Sequence, residues 1–324
     1  MQQCCINNFF IYFCLLTILN KKMADLKNYE VIIIGGSYAG LSSAMALGRS
    51  LRRVLVIDAG DPCNKQTPHS HNFITQDGEK PAAIAQKARA QVQAYTTVTF
   101  CETKVTDVVR DGKGFLVSTE NGDTFHAQKL ILATGVRDIM PDIPGFAACW
   151  GISVVHCPYC HGYEARGQKT GVLAQGDAAM HYAPLLRNLT KDLTIITNGN
   201  ANFTIEQRQK LAANGIQIIE KKVVAIDHTN GQLSQIVFDD HSTMVLDVLY
   251  AALPTEQKNH FAEKLGCEIT DKNLIKVDAF QKTTVENVFV CGDNSSPIRS
   301  VANAVAAGNL AGAGVNNSLA TEAF

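Results

Sequence analysis

The sequence predicts an α/β protein with two Rossmann-like three-layer domains. A buried strand runs into a glycine-rich turn at 31–40, and a helical stretch and a second strand follow this turn. The same pattern starts again at residue 170, displaced by 139 positions. Because a chain of 324 residues can bury more than one hydrophobic core, we expect the two units to lie in separate domains.

The first unit carries a dinucleotide-binding fingerprint. Gly35 and Gly40 lie between a strand and a helix predicted at 41–49, and Ser37 takes the position of the middle glycine. Pyrophosphate binds at such a helix N-terminus because free N–H groups favour anions. Asp58 ends the next strand, where it is placed to bind ribose hydroxyl groups. Serine is small and can donate a hydrogen bond, so we expect nucleotide binding to survive. An α/β turn without a nucleotide is the alternative.

The second unit has lost the groups that recognise a nucleotide. The positions equivalent to Gly35, Ser37, Gly40 and Asp58 hold Ala174, Gly176, Ala179 and Thr197. The loop at 197–200 offers neither an acid for a ribose nor an arginine for a 2′-phosphate. We therefore interpret this unit first as a fold element, and the pattern leaves NAD(P)H binding open.

Two further strand ends complete the predicted nucleotide site. They carry Ala133, Thr134 and Gly135 at the end of a strand at 129–135, and Gly292 and Asp293 at the end of a strand at 285–293. A helix predicted at 301–313 follows the second of these strands. An acid at a strand end that faces a helix N-terminus suits a second contact with a dinucleotide.

Cys157 and Cys160 form a Cys-x-x-Cys pair between the two units, and His156 and His161 flank it. A redox dithiol is the favoured interpretation, because neighbouring imidazoles stabilise a thiolate. The alternatives are zinc binding by these four residues and a pair of buried, unreactive thiols. Structural zinc sites usually draw on two separated pairs, and the sequence has one, so no metal is predicted. A dithiol between two such units implies electron transfer between a flavin and sulfur.

Histidines near the dithiol are candidates for proton transfer. His161 is the candidate acid or base, because imidazole exchanges protons near neutral pH, and a histidine that only packs or caps is the alternative. His69 and His71 lie in a loop that either approaches the flavin or is solvated. The five unpaired cysteines beyond the N-terminal stretch, from Cys63 to Cys291, are predicted to be buried.

Composition and charge exclude several classes of protein. The formal net charge is -1 and no basic cluster is present, so nucleic-acid binding gets no support. Apart from one pair, the ten cysteines lack the spacing of a secreted disulfide framework, which favours the cytoplasm. Residues 1–23 are predicted to be a non-structural extension, with a secretory signal or membrane anchor as the alternative. Their apolar run at 9–19 is too short to span a bilayer and no basic residue precedes it.

From about residue 29 to residue 314, the chain resembles the low-molecular-weight thioredoxin reductase family. The resemblance rests on the fingerprint at 35–40, the Ala-Thr-Gly turn, the dithiol and the segment 288–293. It implies FAD held by the first fingerprint and Asp293, Cys160 as the thiol that reacts with the flavin, and a homodimer. Cys157 would then exchange with the substrate. The domains implied are an FAD domain at 24–140 and 270–324, and an inserted NAD(P)-type domain with the dithiol at 141–269.

The chain departs from typical members of that family at the following positions: His161 replaces an aspartate, Ala174-Gln175-Gly176 replaces three glycines, the His-Arg-Arg clamp is missing at 197–200, and Val301 and Ala302 replace an Arg-Gln pair. These features are similar to the dithiol-oxidase branch, whose members pass electrons to oxygen. Ferredoxin-fed relatives lose the same nucleotide motifs.

We therefore expect an FAD-dependent thiol–disulfide oxidoreductase that works as a dithiol oxidase or a ferredoxin-fed reductase. An NAD(P)H-dependent thioredoxin reductase is the alternative enzyme, and a flavin redox sensor without turnover is the alternative of another class. The expected substrates are a small thioredoxin-like protein or a small dithiol, with oxygen or ferredoxin as electron partner. Neither a nucleic acid nor a membrane is expected as a partner.

Overall fold

The computed structural model describes residues 27–324, which contain a large mixed sheet and a large parallel sheet joined by a pair of short strands. The extension predicted at 1–23 lies outside the described residues. Within 27–324, no helix is long and apolar enough to cross a membrane.

The elements follow one another along the chain in three groups. The first group is β1 (Lys27–Ile34), α1 (Tyr38–Arg49), β2 (Val54–Asp58), α2 (Pro81–Gln93), β3 (Val98–Glu102), β4 (Val105–Asp111), β5 (Gly114–Thr119), β6 (Thr124–Leu132) and β7 (Val136–Asp138). The second is α3 (Phe146–Cys149), β8 (Val154–Val155), α4 (Pro158–His161), β9 (Thr170–Leu173), α5 (Gly176–Arg187), β10 (Leu193–Ile196), α6 (Ile205–Ala213), β11 (Gln217–Ile219), β12 (Val223–Thr229), β13 (Gln232–Phe238), β14 (Thr243–Val245), β15 (Val248–Ala251) and β16 (Thr255–Gln257). The third is α7 (Phe261–Lys264), β17 (Val288–Val290) and α8 (Val301–Ala323).

The first sheet is buried on both faces. β1 pairs in parallel with β2 and β6, and β17 also pairs with β6. Val31 and Ile33 pack in one core cluster with residues of α1 and α8, whereas Ile32 and Ile34 pack in another with residues of β4 and β5. The continuous apolar run of β1 follows from this burial, since alternate side chains enter different layers.

The second sheet repeats the design of the first. Its strands run in the order β11-β10-β9-β15-β8 and are all parallel. Thr170 of β9 pairs with Leu193 of β10, just as Val31 of β1 pairs with Val54 of β2. Both members of the pair are displaced by 139 positions, so the predicted internal repeat is confirmed down to the strand register. Helix α5 packs on one face, and the antiparallel sheet β12-β13-β14 packs on the other.

The two domains are linked by β7 and β16, which pair antiparallel. The chain leaves the first domain through β7 and comes back through β16. Ala262 and Cys267 already belong to the core cluster of the first domain, together with Ile32 and Leu55. This packing favours a return to the first domain earlier than the predicted boundary at 270.

Helix α8 completes the first domain and continues to Ala323, beyond the predicted end at 313. A Cβ on Gly308 would lie 2.1 Å from the carbonyl oxygen of Ala39, and one on Gly312 would lie 2.8 Å from that of Ser43. The backbones of helices α1 and α8 are therefore in direct contact, and glycine is required at both crossing points.

Candidate active site

A cavity of about 430 Å³ lies between the turn after β1 and the dithiol segment. The predicted site residues that line it are Gly35, Ser37, Asp58, Ala133, Thr134, Gly135, Cys160, His161 and Asp293. Three further predicted site residues, Gly40, Gly292 and Cys157, are not part of its lining. The fold thus brings the fingerprint, the two other strand ends and one sulfur atom to a single cavity.

The turn between β1 and α1 needs its glycines because the backbone comes close to itself. Gly35 has a φ of +108°, and a Cβ there would lie 2.3 Å from the carbonyl oxygen of Ala133. A Cβ on Gly40 would lie 1.9 Å from the carbonyl oxygen of Gly35, so glycine is required there for the turn to close. The side chain of Ser37 does not cap α1. The N–H groups at the start of this helix are therefore free to bind an anion such as pyrophosphate.

Cys157 and Cys160 are joined by a disulfide. Cys157 precedes the short helix α4, and its Sγ accepts a 3.1 Å hydrogen bond from the backbone N–H of Cys160. Pro158 takes the first position of this helix, where no N–H is needed. Of the two cysteines, Cys160 lines the cavity. The two cysteines are thus distinguished by position, since Cys160 is part of the cavity lining and Cys157 is not.

His161 lines the same cavity directly after Cys160. Burial lowers the pKa of His161 below its ordinary value, the Glu164 carboxylate opposes this shift, and His71 adds to it. The imidazole is therefore neutral at pH 7 and able to accept a proton, with its titration moved to the acid side of the expected neutral range. His71 also lines the cavity, and its Nδ1 lies 3.7 Å from Oε1 of Glu164. His69 lines the cavity beside it, so this loop does approach the site.

His156 is a half-buried, neutral member of the cavity wall. Burial and the charge of Arg299 lower the pKa of His156 to about 4. Its ring stacks on Trp150 with centroids 5.9 Å apart, and its backbone carbonyl accepts a 2.7 Å hydrogen bond from the hydroxyl of Tyr182. Among the described residues, the buried Nε2 of His156 has no hydrogen-bond partner.

Arg299 lines the cavity and was not identified from the sequence. Its guanidinium donates to both carboxylate oxygens of Asp138, at 2.6 and 3.2 Å. Its Nε lies 3.5 Å from Oδ2 of Asp293 but makes no hydrogen bond within the described residues. Burial raises the pKa of Asp293, and Arg299 opposes this shift. In the sequence, the feature that could have indicated this residue is its position directly before Ser300, the N-cap of α8.

These surroundings fit FAD. Arg299 Nε and His156 Nε2 are buried polar atoms on the cavity wall without protein partners, and buried polar atoms are normally paired. The open N-terminus of α1 suits a pyrophosphate, and Asp58 at the end of β2 suits a ribose. The cavity volume also lies in the range of cofactor pockets, about 300–1,000 Å³.

The corresponding turn of the second unit is filled by the protein's own side chains. Gln175 Nε2 donates a 2.6 Å hydrogen bond to the carbonyl oxygen of Thr197 across this turn. The hydroxyl of Thr197 is directed at the backbone carbonyl of Ile219. Asp177 lies in the first turn of α5 and accepts a 3.0 Å hydrogen bond from Gln207. A carboxylate at this helix end competes with a phosphate for the positive end of the helix dipole.

A basic side chain close to this turn is already paired. Arg208 of α6 lies 2.7 Å from Glu220, which also accepts a hydrogen bond from the backbone N–H of Ala201. The guanidinium of Arg208 therefore has a carboxylate partner within the protein, and it lies on α6 rather than in the loop at 197–200 where the clamp is missing.

The cysteines outside the disulfide were predicted to be buried, and this is correct for Cys149, Cys267 and Cys291. The prediction was wrong for Cys63, which is exposed and contributes to the cavity lining, and Cys101 is half-buried. Cys63 lies in the loop after β2, and loops run over the surface because their backbone polar groups need water.

Comparisons with known proteins agree with this architecture. Residues 29–308 match the family described as pyridine nucleotide-disulphide oxidoreductase. The chain is 36% identical over 296 residues to thioredoxin reductase tcpT of Claviceps purpurea, covering 87% of this chain and 92% of that protein. It is 34% identical over 307 residues to thioredoxin reductase sirT of Leptosphaeria maculans, covering 89% and 93%. The crystal structure of the oxidoreductase from Agrobacterium tumefaciens matches with a TM-score of 0.86 and 37% identity, covering 91% of this chain and 99% of that one.

The family match spans both domains and the dithiol between them, so it covers the whole candidate site. Membership implies FAD as the cofactor, in agreement with the cavity beside the first fingerprint. The chain therefore belongs to the pyridine nucleotide-disulphide oxidoreductase family, and within it this protein is a thioredoxin reductase-like oxidoreductase.

Proposed function

We propose that this protein is a thiol–disulfide oxidoreductase in which a dithiol substrate, and not NAD(P)H, supplies electrons to FAD through Cys157 and Cys160. One asymmetry carries the proposal. The turn of the first unit opens on the cavity that Cys160 lines, whereas Gln175 bridges the equivalent turn of the second unit and Asp177 lies at the start of its helix. The second unit then serves as the scaffold of the dithiol.

The thiol chemistry takes place in two exchanges. A substrate thiolate attacks Sγ of Cys157, the bond to Sγ of Cys160 breaks, and Cys160 leaves as the thiolate. The second substrate thiol then attacks the mixed disulfide, so the substrate loses two electrons and two protons and the protein gains a dithiol. The backbone N–H of Cys160 stabilises negative charge on Cys157, and neutral His161 accepts the proton of the attacking thiol and passes it to the departing sulfur.

Bound FAD would accept the two electrons that the Cys157/Cys160 dithiol releases when its disulfide forms again. In the proposed direction, oxygen is the final acceptor. The N-terminus of α1 would hold the pyrophosphate and Asp58 the adenosine ribose. Asp293 and Arg299 line the same cavity as Cys160. As a charged pair, they would contact the FAD bound there.

An NAD(P)H-dependent thioredoxin reductase is the second candidate, because tcpT and sirT are both named thioredoxin reductases. In that case, a small thioredoxin-like protein would be the substrate. A ferredoxin-fed reductase would run the thiol exchange in the opposite direction. The resemblance to the thioredoxin reductase family also supports the proposal of a homodimer, and the spacing of the cysteines supports that of a cytoplasmic location.

Anaerobic stopped-flow bleaching of the flavin separates these candidates. We expect dithiothreitol to bleach the flavin rapidly, and NADPH and NADH to require far higher concentrations. One lost charged hydrogen bond costs about 1.5–3 kcal/mol, or roughly a factor of 10–100 in affinity.

Admission of oxygen should restore the colour and produce peroxide. Saturable bleaching by micromolar NADPH would contradict the proposal, and bleaching by reduced ferredoxin alone would favour the ferredoxin-fed enzyme. A flavin that dithiothreitol reduces without steady-state turnover would indicate a redox sensor.

A further inference from the structure

We infer that Asp138 is a positioning residue that clamps the dithiol-bearing domain onto the first domain, so that Cys160 faces the cavity. Asp138 ends β7, the strand through which the chain leaves the first domain. Its side chain is 7% exposed, although a carboxylate is costly to bury without partners. The inference rests on the proposed function only for the role of Cys160.

The carboxylate of Asp138 receives hydrogen bonds from both domains. Arg299 of the first domain donates to its two oxygens, at 2.6 and 3.2 Å. Trp150 of the second domain donates its Nε1–H to Oδ2 at 3.2 Å. Because the Arg299 guanidinium binds both oxygens, it fixes the plane of the Asp138 carboxylate. The position of this plane then sets the position of the oxygen that accepts from Trp150.

Trp150 connects this carboxylate to the dithiol segment. The indole is 4% exposed and stacks between Phe146 and His156, with both centroid distances at 5.9 Å. His156 directly precedes Cys157, and its own backbone is held by Tyr182. Because this column is closely packed, a displacement of Trp150 displaces the disulfide relative to the cavity.

A neighbouring ion pair, which joins β7 to β16, provides a matched control. Arg137 of β7 contacts Glu256 of β16 at 2.8 and 2.5 Å, but these side chains are 69% and 42% exposed. Exposed ion pairs contribute little to stability, whereas removal of one partner from a buried pair leaves an uncompensated charge. The variant R137Q therefore tests the effect of losing a charge on β7 without disturbing Trp150.

The test uses the purified flavin-loaded protein and its only tryptophan. In D138N, one carboxylate oxygen becomes an NH2 donor that faces the donors of Arg299 and Trp150, so the clamp on Trp150 is weakened by the loss of at least one hydrogen bond. We expect its fluorescence to shift to longer wavelength and to be quenched more strongly by acrylamide. After reduction, alkylation of Cys160 should accelerate about tenfold, the factor that corresponds to 1.4 kcal/mol. R137Q should match the wild type in both measurements.

A second variant covers the case in which D138N does not fold. W150F keeps a stacked ring but lacks the indole N–H, and it should show the same acceleration of Cys160 alkylation. Wild-type alkylation in W150F, or wild-type fluorescence and alkylation in a folded D138N, would overturn the inference. Neither measurement requires turnover, so a wild-type flavin that resists reduction by dithiols would contradict the proposed function and leave this test intact.

Discussion

At the scale of single residues, the two sulfur atoms of the disulfide have different surroundings. Cys160 lines the cavity, whereas Sγ of Cys157 accepts a backbone hydrogen bond and lies outside the lining. We expect C160S to stop electron transfer between dithiol and flavin. C157S should leave Cys160 able to perturb the flavin spectrum but should abolish exchange with dithiothreitol. Flavin absorbance and steady-state turnover measure both effects.

Cys101 provides the control for these variants, since it is half-buried in β3 and has no disulfide partner among the residues that the structure describes. C101S should keep full turnover. In the wild type, reduction should make two further thiols accessible to alkylation, and peptide mapping should place both in the dithiol segment. Full turnover in C160S or in C157S would show that the roles are assigned wrongly.

His161 determines the expected pH dependence of flavin reduction by dithiols. Burial lowers the pKa of His161, so the neutral base is present at pH 7 and is lost as the pH falls through the shifted value. The acid limb should therefore lie below the ordinary histidine range near 6.5. H161A should reduce the rate by about 10²–10⁴-fold and remove this limb. A loss of less than about threefold would favour a histidine that only packs, since it lies far below that range.

Glu164 tests the electrostatic cause of this limb. Its carboxylate raises the pKa of His161 against the effect of burial. In E164Q, the pKa of His161 should fall further, and the acid limb should move to lower pH. E263Q, which changes an exposed glutamate of α7, is the matched control and should leave the limb in place. Rate–pH profiles from stopped-flow bleaching measure both variants, and an unmoved limb in E164Q would exclude His161 as its source.

At the scale of elements, the two Rossmann units form a natural comparison within one chain. Asp58 and Thr197 occupy equivalent strand ends, but only Asp58 lines the cavity. D58N removes a charged acceptor for ribose hydroxyls and should raise the dissociation constant of FAD about tenfold or more. T197V should leave FAD affinity unchanged. Fluorescence of released FAD during dilution measures both, and equal retention in the two variants would contradict the assignment of the first unit.

The first unit could be predicted from the sequence because its signals are local. Strand, glycine turn, helix and acid follow one another, and each residue type has a separate physical reason. The repeat could also be predicted, since the spacing between the two paired strands is the same in both copies. The pairing of Arg299 with a carboxylate could not be predicted from such local signals. Its partner Asp138 is 161 positions away, and only the tertiary fold brings the two residues together.

At the scale of the whole molecule, the described residues contain one fingerprint that opens on a cavity and one that is filled by side chains. We therefore expect purified protein to be yellow and to bind one FAD per chain rather than two. The ratio of flavin absorbance to protein concentration measures this stoichiometry. Colourless protein that gains no flavin on reconstitution would contradict the fold-level assignment, and light scattering on the same sample tests the proposed homodimer.

The contact between α1 and α8 has a consequence for how the chain is synthesised. Residues near Ala39 leave the ribosome about 270 residues before the glycines that pack against them at 308 and 312. The second sheet, from β8 to β15, is contiguous and needs none of the later chain. At about 5–20 residues per second, the first domain waits about 10–30 s for its final helix after β7 has emerged. The inserted domain therefore has time to fold first, and the cavity, whose lining includes Asp293, Arg299 and Ala304, is complete only after the inserted domain has left the ribosome.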